Sequence, residues 1–284
     1  MTDPSDALNR IAIALERLTP PATAPVDWLA APAYVWDGGP ESRRSGAAPA
    51  RAVARLDAPA LDLLRGIDAQ KALVVANVAR LAAGHAAHDM LLWGARGMGK
   101  SALLRASVVA AAADHPGSIA LVQVAADALP TLSALFAELG SQPRGFLVFI
   151  DDLGFEEGDG AGPRALRSWL EGGVEARPGN VRLAITSNRR AIVARSMSEQ
   201  DDPINPRDVV DDRLALADRF GLSIGFHNCP QDDYLAIIGG YAATYGLAWE
   251  EHDALEWAKR RGARSGRVAW HYVTELAGRA GKAL

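Results

Sequence analysis

The sequence predicts an α/β fold: a parallel five-stranded sheet flanked by helices, with a helical arm before it and a small helical lid after it. Three observations carry this expectation. Short apolar strand patterns alternate with helical patterns between residues 90 and 226, the order that gives parallel strands joined by right-handed crossovers. A glycine-rich loop joins the first of these strands to the first helix. From Gln231 onward the strand patterns stop, and three helical patterns follow, broken near Gly246 and at Gly262–Gly266.

The loop reads Gly94-Ala95-Arg96-Gly97-Met98-Gly99-Lys100-Ser101, the complete G-x-x-x-x-G-K-[ST] pattern of a phosphate-binding P-loop. Glycine permits the turn that aims successive N–H groups at phosphate oxygens, where a side chain would block the approach. Lys100 supplies a point charge for the β- and γ-phosphates, and the Ser101 hydroxyl is a candidate Mg²⁺ ligand. The context fits. Met90-Leu91-Leu92-Trp93 is a buried-strand pattern, and Ala102 to Ala111 is rich in helix formers, so a helix dipole faces the anion. Gly94 through Ala102 is therefore the candidate phosphate-binding set, with ATP and Mg²⁺ as the implied ligands. The alternative is a glycine turn that matches by chance.

The composition is that of an ordinary globular protein: 284 residues, 49% hydrophobic and 23% charged. A net charge of −4 gives no global attraction to nucleic acid, although a local basic patch is compatible with it. The single cysteine, Cys229, excludes an internal disulfide framework and fits a reducing compartment. No stretch reaches the roughly 18 apolar residues of a membrane span, and the N-terminus lacks signal-peptide features. The expectation is a soluble, cytoplasmic protein without membrane contact.

Taken in order, residues 5–18 carry Leu8, Ile11, Leu15 and Leu18 at helical spacing and end at Pro20-Pro21. Residues 19–60 are rich in Pro, Ala, Gly and Arg and read as an arm. Trp28, Tyr34 and Trp36 within it dock either on the chain's own domain or on a neighbouring subunit. A helix is expected over 61–83. Further strands are expected at 119–124, 146–150, 181–188 and 222–226, and helices at 129–139 and 164–171. The acidic stretch 154–163 and the polar stretch 196–212 read as loops. The domains expected are an arm at 1–56, a nucleotide-binding core at 57–228 and a lid at 229–284.

A P-loop needs a partner that holds the metal. Phe146 to Ile150 is the most strand-like run of the chain and leads into Asp151, 51 residues after Lys100 (151 − 100). Asp151 is the candidate metal carboxylate and Asp152 the candidate group that orients the attacking water; the plain alternative is a solvated strand end. Asn188 ends the next strand, where an amide can hold the water or touch the γ-phosphate, with Thr186 and Ser187 as weaker candidates; strand-end capping explains them too. Arg219 and Arg267 are candidate phosphate cations, one acting in trans and one from the lid. Surface salt bridges are the alternative for both. His227 and Cys229 make a poor zinc site, and packing is the simpler reading.

These residues resemble AAA+ ATPases. More closely, they resemble the bacterial family called domain of unknown function 815, through Gly66-Ile67-Asp68, Gly94–Gly97, Asp151-Asp152-Leu153, Leu170 to Pro178, Thr186 to Arg190, Asp218 to Leu222 and Arg261 to Trp270. The resemblance covers about residues 57 to 280. It implies the AAA+ core and lid, and nucleotide at a subunit boundary of a homo-oligomer. It implies Asn188 and Arg267 as first and second sensors, Arg219 as arginine finger, and Ile67 beside the adenine. Many AAA+ proteins carry Glu where this chain has Asp152. A similar Asp pair occurs in DnaA-like and IstB/DnaC-like ATPases, so activity is expected and its rate is open.

Two function classes remain. One is an Mg²⁺-dependent ATPase that switches or remodels a protein partner. The other is a slowly hydrolysing, ATP-dependent DNA-binding loader or adaptor. Basic clusters at Arg189-Arg190, Lys259-Arg260-Arg261 and Arg264 bear on the second, although solvated helix faces explain them and the acidic balance disfavours DNA. A simple kinase is a third possibility, but no acceptor pattern is recognisable.

Overall fold

The structure, a computed structural model, describes residues 25–38, 48–153, 178–188 and 219–284, together with Arg10 and Leu170. Apart from those two residues, the expected helices at 5–18 and 164–171, the loops at 154–163 and 196–212, and Arg189-Arg190 lie outside the described residues.

One sheet organises the fold. Its strands are β1 (Ala33–Trp36), β2 (Ala50–Val53), β3 (Met90–Gly94), β4 (Ile119–Val124), β5 (Gly145–Ile150), β6 (Val181–Ser187) and β7 (Leu222–Phe226). Their order is β2-β1-β4-β5-β6-β3-β7. All pairings are parallel except β1 with β2. The sheet thus has seven strands where five were expected. The five expected strands are present; the two additions lie in the stretch read as an arm. β1 continues the sheet beside β4, with Ala33 opposite Leu121 and Trp36 opposite Val124.

The helices are α1 (Asp68–Ala82), α2 (Lys100–Asp114), α3 (Leu132–Gly140), α4 (Gln231–Tyr245), α5 (Glu251–Arg260) and α6 (Gly266–Arg279). Both faces of the sheet are covered, which is why β5 reads as an unbroken apolar run. Leu147 and Phe149 face the core shared with α1, α2 and the C-terminal helices, whereas Phe146, Val148 and Ile150 face the core shared with α3 and the N-terminal segment.

Trp28, Tyr34 and Trp36 are buried in that second core, so the aromatics of the arm dock on their own domain. Trp28 donates from Nε1 to Glu138 at 3.2 Å, and Trp36 donates from Nε1 to the Thr131 hydroxyl at 2.8 Å. A buried Arg144 fastens the segment to the sheet, donating to the carbonyls of Trp28, Ala31 and Ile119 at 3.0, 3.1 and 2.6 Å. Three charge-assisted bonds to backbone offset the cost of burying its guanidinium. Burial and the nearby Tyr34 still act on this group, and burial dominates, lowering its pKa.

Cys229 is buried in the core beneath the C-terminal helices. Burial, helped by Asp233, pushes its thiol up to about 11. The thiolate is the reactive form, so alkylation of the native chain at pH 8 is expected to be far slower than alkylation of the urea-unfolded chain, as followed by mass spectrometry. Among the described residues, no three His, Cys, Asp or Glu side chains cluster as a metal site, and no helix is long and apolar enough to cross a membrane.

Candidate functional site

In a parallel sheet, ligands bind beyond the carboxyl ends of the strands where the strand order reverses. Here α2 follows β3, but the next strand in sequence, β4, lies three places away, with β6 and β5 between. The P-loop, Asn188 and the Asp151-Asp152 pair all sit at the carboxyl ends of adjacent strands, β3, β6 and β5.

The loop has the backbone that its glycines permit. Gly94, Gly97 and Gly99 have φ of +118°, +74° and +86°. At Gly94 an added Cβ would lie 2.1 Å from the Phe226 carbonyl oxygen, which accepts the Ala95 N–H at 2.8 Å. This joins the loop to the end of β7.

Lys100 is 7% exposed. Its ammonium donates to the Gly94 and Ala95 carbonyls at 2.9 Å each and to Asn188 Oδ1 at 3.4 Å. Burial lowers its pKa against the opposing pull of Asp152 and Asp151, with Arg267 and Arg96 adding a smaller lowering. A phosphate entering the site strengthens the charged form.

The acidic half is equally connected. Asp151 Oδ1 accepts from the Ser101 hydroxyl at 2.6 Å and from the Thr186 hydroxyl at 2.6 Å. Thr186 Oγ1 also accepts the Asp152 N–H at 2.8 Å. Asn188 donates from Nδ2 to Asp152 Oδ1, and Arg96 lies 3.8 Å from Asp152 Oδ2. Asp152 adopts φ +50°, a left-handed conformation that Asp tolerates better than most residues and that recurs at functional sites. Thr186, a weaker candidate in the sequence, therefore ties the Asp151 carboxylate and the Asp152 backbone to β6. Its signal was its place at a strand end.

Ser101 and Asp151 present hard oxygen donors side by side. Such donors suit Mg²⁺, which takes one or two protein oxygens and completes its shell with water and phosphate. The residues present fit that ion.

The C-terminal helices close the site from above. Arg267 N–H donates to Gly97 O at 3.1 Å, and Ser265 caps α6 by accepting the Val268 N–H at 3.2 Å. A cavity of about 980 Å³ runs between the P-loop and these helices. Arg96 to Ala102, Asp151, Asp152, Asn188, Ile67 and Arg267 line it. So do several residues not anticipated: Leu64 before α1, Tyr241 and Tyr245 on α4, and Trp270 on α6. Their signal was helical spacing: Trp270 lies three residues after Arg267, on the same face.

Arg219 is not among the lining residues. It precedes β7, whose first residue Leu222 pairs with Met90, the first residue of β3. That is the opposite end of the sheet from Lys100, roughly 15 Å away for a five-residue strand. Its own site is out of reach.

Sheet order, P-loop and helical cap together define the AAA+ fold of P-loop ATPases. The model of the family described as "Protein of unknown function (DUF815)" matches residues 30–280, and the chain belongs to that family. No curated protein sequence matches the chain. Among solved structures it is similar to the Thermotoga maritima RuvB Holliday junction branch migration motor, at 18% identity and TM-score 0.51, over 78% of this chain and 66% of that one. It is also similar to Aeropyrum pernix ORC2 in ADPNP–ADP complexes, at 17% identity and TM-score 0.50, over 77% of this chain and 64% of that one. Aeropyrum pernix ORC1 in complex with DNA is similar at 15% identity and TM-score 0.51, over 78% of this chain and 65% of that one. The chain thus spans just under two thirds of the length of these relatives, and at such identities the likeness is one of fold.

Proposed function

We propose that this chain binds ATP with Mg²⁺ in the cleft between the sheet and the C-terminal helices, and hydrolyses it at a boundary between identical subunits to switch or remodel a protein partner. The observation that carries the reading is the single hydrogen-bonded network in which Lys100, Asn188 and Asp152 on one side, and Ser101, Asp151 and Thr186 on the other, converge on one cavity.

The residues divide the work. P-loop N–H groups and Lys100 hold the β- and γ-phosphates and stabilise charge that develops during transfer. Ser101 and Asp151 hold Mg²⁺, which supplies further charge neutralisation when bound. Asp152 and Asn188 position the water for in-line attack, and Asp152 receives its proton. Asp152 is one methylene shorter than the usual Glu, so the water has to sit closer or be bridged. Arg267, one residue into α6 beside Gly97, reaches the phosphates from the lid. Arg219, at the far end of the sheet, serves a neighbour's γ-phosphate.

The second reading is the ATP-dependent DNA-binding loader with slow hydrolysis. It draws on Asp152 and on neighbours whose names include a Holliday junction motor and a complex with DNA. Turnover measured against protein concentration, with and without single-stranded and duplex DNA, separates the two. The first reading expects turnover per subunit to rise with concentration, and to fall by about 10²-fold or more in Arg219→Ala. Flat, near-zero turnover that only DNA stimulates supports the loader instead.

A further inference from the structure

We propose that the groove between α5 and α6 docks an acidic peptide segment of the protein partner, with a carboxylate of that segment held by Arg261 beside the indole of Trp257. What the docking serves rests on the partner reading above, whereas its test needs no nucleotide.

The last two helices are the basic end of an acidic chain. Residues 256–282 carry seven lysines and arginines against two glutamates, a net charge of +5, in a chain whose net charge is −4. The rest of the chain therefore carries −9 (−4 − 5). An acidic segment is steered to this end of the molecule and repelled by the remainder.

A groove of about 550 Å³ runs along these helices. Trp257 and Arg261 line it from α5 and the residue that follows, and His271, Gly278 and the Glu275–Arg279 pair line it from α6. None of its lining residues lines the nucleotide cleft. Its reach along α6, from His271 to Gly278, is about 10 Å. Arg261 lies one helical turn after Trp257, and its guanidinium carbon stands 4.6 Å from the centre of the indole ring.

Two donors in this groove have no acceptor. The Trp257 Nε1 hydrogen is buried and unpartnered, an unmade bond that costs free energy until an acceptor arrives. Among the described residues the Arg261 guanidinium makes no hydrogen bond or ion pair, only its ring contact. A carboxylate entering here accepts from the guanidinium fork and, once the indole turns towards it, from Nε1. The neighbouring cations are already taken: Arg279 pairs with Glu275 at 2.8 Å and Lys259 with Glu256 at 3.4 Å. Carboxylates set among the cations suit separate acidic side chains with apolar ones between, rather than the unbroken phosphate row of a nucleic acid. The apolar side chains have the indole face on one side. On the other they have the open space over Gly278, where an added Cβ would meet nothing within 4 Å.

The test is fluorescence anisotropy of the full, nucleotide-free chain with a short labelled peptide of glutamate and leucine, its glutamine-for-glutamate counterpart, and labelled single-stranded and duplex DNA. The acidic peptide is expected to bind, more weakly at high salt, and the neutral one at least about tenfold less tightly. Arg261→Ala should weaken the acidic peptide about tenfold, and Arg261→Lys, which keeps the charge and loses the fork, should recover only part of it. Gly278→Trp should abolish binding by filling the groove, with the fold kept because a helical glycine is replaced over open space. Arg264→Ala, outside the groove, should change affinity by about twofold at most. Failure of the acidic peptide to bind, equal binding of the neutral one, or binding that Arg261→Ala leaves unchanged overturns the proposal. So does DNA that binds tighter than the acidic peptide and loses that binding in Arg261→Ala and Gly278→Trp. Neither result touches the nucleotide reading, which stands or falls on ATP binding.

Discussion

Lys100→Ala is expected to lower ATP turnover by about 10²–10³-fold, the loss typical when a preorganised charge that stabilises the transition state is removed, and to weaken ATP binding with it. The Lys100 ammonium lies at the junction of the P-loop and Asn188. Burial already lowers its pKa, so the free site holds this charge at a cost that a bound triphosphate offsets. The fold should survive the change. Lys100 itself lines the cavity, so truncating it opens space from which water can bond the Gly94 and Ala95 carbonyls that lose a donor. Single-turnover hydrolysis together with a thermal melt checks both halves: lost turnover with a melting temperature near that of the native chain is the expected pair.

Asp151→Asn should separate the metal from the nucleotide. An amide oxygen at position 151 can still accept from Ser101 and Thr186, which meet the carboxylate at 2.6 Å each. The local hydrogen bonds therefore persist while the negative charge that attracts Mg²⁺ is removed. Turnover is expected to fall by about 10²-fold at ordinary Mg²⁺. A titration with Mg²⁺ should move its half-maximal point to higher concentration while ATP binding without Mg²⁺ is little changed. Asp152→Asn behaves differently, because it slows the chemical step and leaves the Mg²⁺ requirement where it was.

The phosphate loop, the five strands from β3 to β7 and the helical cap were legible because each is written locally. Glycine at Gly94, Gly97 and Gly99 is demanded by positive φ, and β5 is apolar throughout because both of its faces are covered. The extra strands were not legible for the opposite reason. β1 and β2 have four residues each and sit among prolines and glycines. What makes them strands is pairing, of β1 with β4, 88 residues away at Val35↔Gln123 (123 − 35), and of β2 with β1, a choice that local propensity does not announce. Docking of that segment also depends on Arg144, whose bonds to the Trp28, Ala31 and Ile119 carbonyls have no sequence pattern.

Within the site, motif order pointed to the residues on β3, β5 and β6, because strand ends in a parallel sheet converge. The role of Thr186 as the tie between the Asp151 carboxylate and the Asp152 backbone depends on side-chain geometry. So does the aromatic wall of Tyr241, Tyr245 and Trp270, which forms only when α4 and α6 pack against each other. Arg219, expected to act in trans, precedes the first residue of β7, at the end of the sheet opposite the phosphate loop.

The most direct test of the nucleotide site is a calorimetric titration of ATP into the native chain with Mg²⁺ present. The account predicts one ATP bound per chain with a dissociation constant below about 100 µM, a free energy near −5.5 kcal/mol or better, and loss of that binding in Lys100→Ala. Absence of ATP binding to the native chain, or binding that Lys100→Ala leaves intact, would contradict it.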